Sequence, residues 1–67
     1  MKMLELIGNN MKIPKDGSKW ASIDDVFVVI HTIELDGHTW VHYRKDLTEK
    51  EYSCYVESFV ERFTEVL

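Results

Sequence analysis

Apolar and polar positions are most ordered in the middle of the chain, where Val26-Phe27-Val28-Val29-Ile30-His31-Thr32-Ile33-Glu34-Leu35 and His38-Thr39-Trp40-Val41-His42-Tyr43-Arg44 flank Asp36-Gly37. Both runs are rich in β-branched and aromatic residues. Asp-Gly between two such runs predicts a β-hairpin with a two-residue type I′ turn, because both central residues of that turn take positive φ. The turn length sets the register: Leu35 opposite His38, Ile33 opposite Trp40, His31 opposite His42, Ile30 opposite Tyr43 and Val28 opposite Lys45. One face is then expected to carry Phe27, Val29, His31, Ile33, Trp40 and His42, and the other Val28, Ile30, Thr32, Val41 and Tyr43. Apolar residues on both faces suit a long, twisted hairpin that curls around a small core or contacts something on its outer side.

Upstream, Met3 to Ile7 reads as a short strand and Gly8-Asn9-Asn10 as a turn. Met11-Lys12-Ile13 adds an extended piece before a loop from Pro14 to Ser18, which contains Asp16-Gly17. The C-terminal third supports two patterns. Thr48-Glu49-Lys50-Glu51 has capping-box form, Leu47 and Tyr52 sit where a hydrophobic staple would, and Tyr52, Tyr55, Val56, Phe59, Val60, Phe63 and Leu67 recur at helical spacing. That periodicity favours one long helix, about 49–66, covering a three- to four-stranded antiparallel sheet. The other pattern takes Glu51-Tyr52-Ser53-Cys54-Tyr55 as a third strand of a meander, followed by a short helix from Glu57 to Phe63 and an extended tail. In either case Phe59 and Phe63 should be buried, and on a helix that spans them Glu57, Glu61 and Glu65 would line an acidic stripe.

With 67 residues the chain is sized for one domain, 1–67. A domain this small is marginal unless its core is rich, and 45% hydrophobic residues with two Trp, three Tyr and three Phe supply one. Eight Lys and Arg against twelve Asp and Glu leave a net charge of -4, which argues against general binding to a phosphate backbone. The one cysteine, Cys54, excludes an internal disulfide framework and fits a reducing compartment. No apolar run approaches the roughly 20 residues of a membrane helix. A cytoplasmic protein that makes no membrane contact is the expectation.

The run Asp36-Gly37-His38-Thr39-Trp40-Val41-His42-Tyr43-Arg44, then Glu51-Tyr52-Ser53-Cys54-Tyr55, then Glu57-Ser58-Phe59-Val60-Glu61-Arg62-Phe63 resembles short, functionally uncharacterised accessory proteins of tailed bacteriophages, over roughly residues 14 to 66. The resemblance implies a small β-rich α+β domain, an SH3-like partly open antiparallel barrel with a C-terminal helix. A narrower likeness, over Asp36 to Thr48, is to phage inhibitors of uracil-DNA glycosylase. The acidic groups that act in that family are not matched, His42 and Ser53 standing in their places. Together these imply a non-enzymatic phage-type protein that binds and modulates or inhibits a host or anti-phage defence protein in the infected bacterial cytoplasm.

The residues offer little catalytic chemistry. Ser18, Ser22, Ser53 and Ser58 lack a nucleophile-elbow setting, Cys54 has no local activating neighbour, and Gly8, Gly17 and Gly37 are isolated turn glycines rather than a phosphate cradle. His31, His38, His42 and Cys54 invite a zinc reading, but His38 and His42 lie about 13 Å apart along one strand, too far to share a metal. Neither a metal nor a cofactor is expected. What remains is aromatic surface. Trp40 and Tyr43 are expected in the core, whereas Trp20, Tyr52 and Tyr55 are contact candidates, rimmed by Arg44, Glu57 and Glu61, because interfaces favour groups that join large apolar area to a polar tip. Two rival readings are a structural, self-assembling protein and a small nucleic-acid-binding barrel. The latter requires Lys2, Lys12, Lys15 and Lys19 to gather beside an exposed Trp.

Overall fold

The structure, a computed structural model, describes residues 13–66. The expected strand at Met3–Ile7, the turn at Gly8–Asn10 and the extended Met11-Lys12 lie outside the described residues. Five strands and one helix follow in the order β1 (Lys19–Ala21), β2 (Val26–Leu35), β3 (His38–Lys45), β4 (Glu51–Tyr55), α1 (Val56–Arg62) and β5 (Thr64–Glu65). The strands form one open antiparallel sheet in the order β4-β3-β2-β1-β5.

The central hairpin forms as its turn chemistry dictates. Asp36 and Gly37 have φ of 53° and 79°, the paired positive values of a type I′ turn, and Leu35–His38, Ile33–Trp40 and His31–His42 are opposed as expected. Beyond His31 the register departs from expectation. Val29 lies opposite Tyr43 and Val28 opposite Arg44, with an irregularity between Val29 and His31, so Ile30 is the extra residue of a β-bulge. The expected pairs Ile30–Tyr43 and Val28–Lys45 are therefore incorrect. A bulge shifts the alternation of side chains by one, so Val29 joins Tyr43 and Val41 on the face that packs, and His31, Ile33, Trp40 and His42 stay together on the other face.

The C-terminal third follows the strand-then-helix pattern, and the long helix over 49–66 does not form. Residues Glu51 to Tyr55 pair with β3, placing Ser53 opposite His42 and Tyr55 opposite Trp40. The Thr48 hydroxyl donates to the Lys45 carbonyl (2.9 Å) and accepts from the Lys50 N–H (3.2 Å), which makes it a turn residue rather than a helix cap. Helix α1 begins after Tyr55, which provides no side-chain cap, and closes at Phe63, whose N–H donates to the Phe59 carbonyl. Glu57 and Glu61 are exposed on this helix, but Glu65 belongs to β5 and does not extend their stripe.

Trp20, Val29, Val41, Tyr43, Val56, Phe59 and Phe63 form the core, with Phe27, Cys54 and Val60 packed against it. Phe59 is its centre, fully buried with ring centroids 5.1 Å from Trp20, 5.0 Å from Tyr43 and 4.8 Å from Phe63. Edge-on and tilted aromatic contacts of this kind add to the transfer free energy of each ring. The Trp20 indole N–H is satisfied by the Ser18 hydroxyl at 2.9 Å. At one end of the sheet the β1–β2 and β3–β4 connections are tied together by the Asp46 N–H donating to the Val26 carbonyl (2.8 Å) and by the ion pairs Lys45–Asp25 (3.2 Å) and Lys19–Asp46 (3.6 Å).

Candidate functional site

Because α1 and the core occupy one face of the sheet, no described element covers the opposite, open face of β2, β3 and β4. Alternation along each strand puts His31, Ile33 and Leu35 of β2, His38, Trp40, His42 and Arg44 of β3, and Glu51, Ser53 and Tyr55 of β4 on that face. Two stacks stand on it. The His31 and His42 rings lie 5.1 Å apart and nearly parallel at 16°, and His42 Nε2 is 2.8 Å from Glu51 Oε1. Tyr55 forms the second stack, with His38 on it at 4.7 Å and Trp40 tilted against it at 4.5 Å. Between the stacks, Ile33, Leu35, Trp40, His42 and Ser53 line a shallow groove of about 190 Å³. Ile33 and Leu35 are about half exposed.

The groove is smaller than the ~300 to 1,000 Å³ of a small-molecule site and has the scale of one or two side chains. Its chemistry is that of a contact surface: ring faces and two aliphatic side chains at the centre, with imidazole and carboxylate groups beside them. The two stacked imidazoles do not converge on a metal, since their lone pairs lie in nearly parallel ring planes. Cys54 pairs with Val41 and so lies on the core side, away from all three histidines. Among the described residues no group of three His, Cys, Asp or Glu side chains is placed to hold a metal ion. Burial raises the Cys54 thiol above its ordinary range, with the hydrogen bond to Tyr43 acting the other way, so the thiol is protonated near neutral pH and is a poor nucleophile.

The residues expected at a contact surface divide between places. Tyr55 lies on the open face, 40% exposed, whereas Tyr52 is exposed at the edge of the core side, stacked 5.5 Å from Tyr43. Trp20 is buried, because β1 turns its side chain onto Phe59, and it is no surface anchor. Arg44 is half-buried and donates to the Thr48 carbonyl at 3.3 Å, which ties it to its own loop. Glu57 and Glu61 are exposed on α1, which covers the opposite side of the sheet from the stacks. Trp40, expected in the core, is on the open face. Two of its predicted face-mates, His31 and His42, carried the signal: a face with two imidazoles is a better candidate for the wet side. Of the lysines a nucleic-acid reading requires, Lys19 is paired with Asp46, and Lys2 and Lys12 lie outside the described residues. Among the described residues no helix is long and apolar enough to cross a membrane. No protein-family model, curated protein or solved structure matches the chain, so the geometry of this face is the ground for a functional reading.

Proposed function

We propose that the chain is a non-enzymatic binding module of the phage accessory type, folded as an SH3-like partly open barrel, that engages and modulates a host or defence protein in the bacterial cytoplasm. The barrel assignment is supported by a four-strand meander whose fifth strand returns beside the first, the strand order of SH3-like barrels, and by the bulge at Ile30, which increases local twist and curl. The observation that carries the binding reading is the Tyr55-centred stack beside Ile33 and Leu35, ring and aliphatic surface left in water on a domain whose other aromatics are largely packed. Such a cluster fits the anchor of a protein contact. Glu51 and the neighbouring histidines at its edge would set orientation and association rate more than affinity.

The test is capture from bacterial lysate with the full chain as bait, run in parallel with Trp40→Ala, Tyr55→Ala and Glu57→Ala. The parent and Glu57→Ala retain the same captured protein, while the two open-face variants, still folded by circular dichroism, lose it. Undiminished capture by both aromatic variants would rule this face out as the anchor.

A further inference from the structure

Strand β2 is ten residues long, but β1 pairs only with Val26 to Val28. The last backbone bonds on that edge are the Val29 N–H donating to the Ser18 carbonyl (2.9 Å) and the Gly17 N–H donating to the Val29 carbonyl (2.7 Å). In a hairpin closed by a two-residue turn, Leu35 and His38 exchange both hydrogen bonds, and so do every second pair beyond them, Ile33–Trp40 and His31–His42. The N–H and C=O groups of Thr32 and Glu34 therefore point away from β3, toward an edge that no described residue covers. Unpaired strand edges are templates for strand addition.

We infer that this edge pairs with the same edge of a second copy of the chain, antiparallel, about a two-fold axis at Ile33. The pattern of side chains selects the occupant and the register. With the axis at Ile33, Thr32 of each copy lies opposite Glu34 of the other, so the outward-pointing groups meet as two hydrogen-bonded pairs and form four backbone bonds. Thr32 and Glu34 are also a compatible side-chain pair, a hydroxyl donor against a carboxylate. On the open face Ile33 meets Ile33, and Leu35 of each copy meets His31 of the other. An axis at Glu34 would set two carboxylates directly opposite, which is destabilising; one at Thr32 would set Glu34 against the bulged Ile30, where the ladder is already interrupted. A two-fold axis requires a self-complementary patch, and this edge is one in a single register. The pairing joins two sheets into one and brings the half-exposed Ile33 and Leu35 of both copies together. It shares Ile33 and Leu35 with the face proposed above for a protein contact but does not require that contact, and the two are tested separately.

The interface is small, so its affinity belongs near the weak end, and the experiment is sedimentation of the full chain over a concentration series reaching about 1 mM. A monomer–dimer equilibrium is expected. Thr32→Pro removes an N–H that β3 does not use and should weaken the dimer about tenfold or more, as should Ile33→Glu, which sets like charges opposite at the axis. In a Cys54→Ser background, Ile33→Cys should oxidise to a covalent dimer, since facing residues of a non-hydrogen-bonded pair have Cα atoms about 4.5 Å apart, within disulfide reach. Leu35→Cys, about 13 Å from its counterpart in this register, should remain monomeric. A monomer across the whole series overturns the inference, as does a dimer indifferent to both substitutions or cross-linked equally well through position 35.

Discussion

Val29 lies opposite Tyr43, one residue out of step with the register that the Asp36-Gly37 turn sets at the other end of the same hairpin. Ile30 absorbs the difference, and with it the assignment of faces: Val29 is buried against the aromatic core while His31, one position past the bulge, stands in the open beside His42. Deleting Ile30 would restore uninterrupted pairing with Val29 still opposite Tyr43, and so leave Phe27 and Val29 on the packed side. The expected loss is at most about 2 kcal/mol, of the order of removing one half-buried aliphatic side chain, and close to that of Ile30→Ala. Urea unfolding of the two variants checks this; a deletion variant about 3 kcal/mol or more less stable than the parent would show that Ile30 does more than take up the extra residue of the ladder.

Gly37 has φ of 79°, and a Cβ placed on it would meet nothing within 4 Å. The cost of Gly37→Val is therefore purely one of backbone conformation, and a β-branched residue pays most in that region. A destabilisation of roughly 1 to 2 kcal/mol is expected, without loss of fold. A thermal midpoint unchanged from the parent would count against the type I′ turn.

Phe59 touches Trp20, Tyr43 and Phe63 and is fully buried, while Glu61, two residues along the same helix, is exposed. Phe59→Ala should cost about 3 to 5 kcal/mol and Glu61→Ala less than about 0.5 kcal/mol. Similar losses in the two variants would mean that α1 does not hold its apolar side against the sheet.

Tyr43 and Cys54 both have their ionisation pushed up, in each case mainly by burial. An acid that ionises less readily when folded leaves stability intact below its unfolded-state value and removes it as the pH rises through the folded-state value. Stability should therefore be flat near neutrality and fall above the ordinary thiol value of 9.0 and then the ordinary phenol value of 10.0. Denaturation midpoints from about pH 7 to about pH 11 should show this decline, shallower in Cys54→Ala and in Tyr43→Phe. Stability that rises over that interval would contradict the sign.

The hairpin was legible in the sequence because Asp36-Gly37 carries a backbone requirement that few other dipeptides meet. The bulge was not, because Val26 to Ile30 is apolar at both odd and even positions and so holds no phase information. In the C-terminal third, Thr48 and Glu51 imitate a helix start, yet the edge of β3 offered residues 51–55 a ladder of hydrogen bonds, and tertiary pairing prevailed over local pattern. The true helix start after Tyr55 has no capping side chain to announce it. Of the aromatics expected at the surface, Tyr52 and Tyr55 are exposed. Trp40 shared its expected face with Phe27 and Val29 because the bulge was unread, whereas the burial of Trp20 follows from β1, a strand that no pattern in the sequence announced.

The pairing of β5 with β1, Trp20 against Glu65, joins nearly opposite ends of the described chain through only two residue pairs. Contacts so distant along the chain incur the largest loop-closure entropy, and the β2–β3 hairpin the smallest. The rate-limiting barrier to folding should then be crossed with the hairpin formed and β5 still loose. Changes at Gly37 would slow folding, whereas changes at Thr64 or Glu65 would chiefly speed unfolding, a division that the two arms of a chevron plot report directly. The residence time of the native state, and with it resistance to forced or proteolytic opening when cleavage outpaces reclosure, would thus be adjustable at the last short strand without changing how fast the domain assembles.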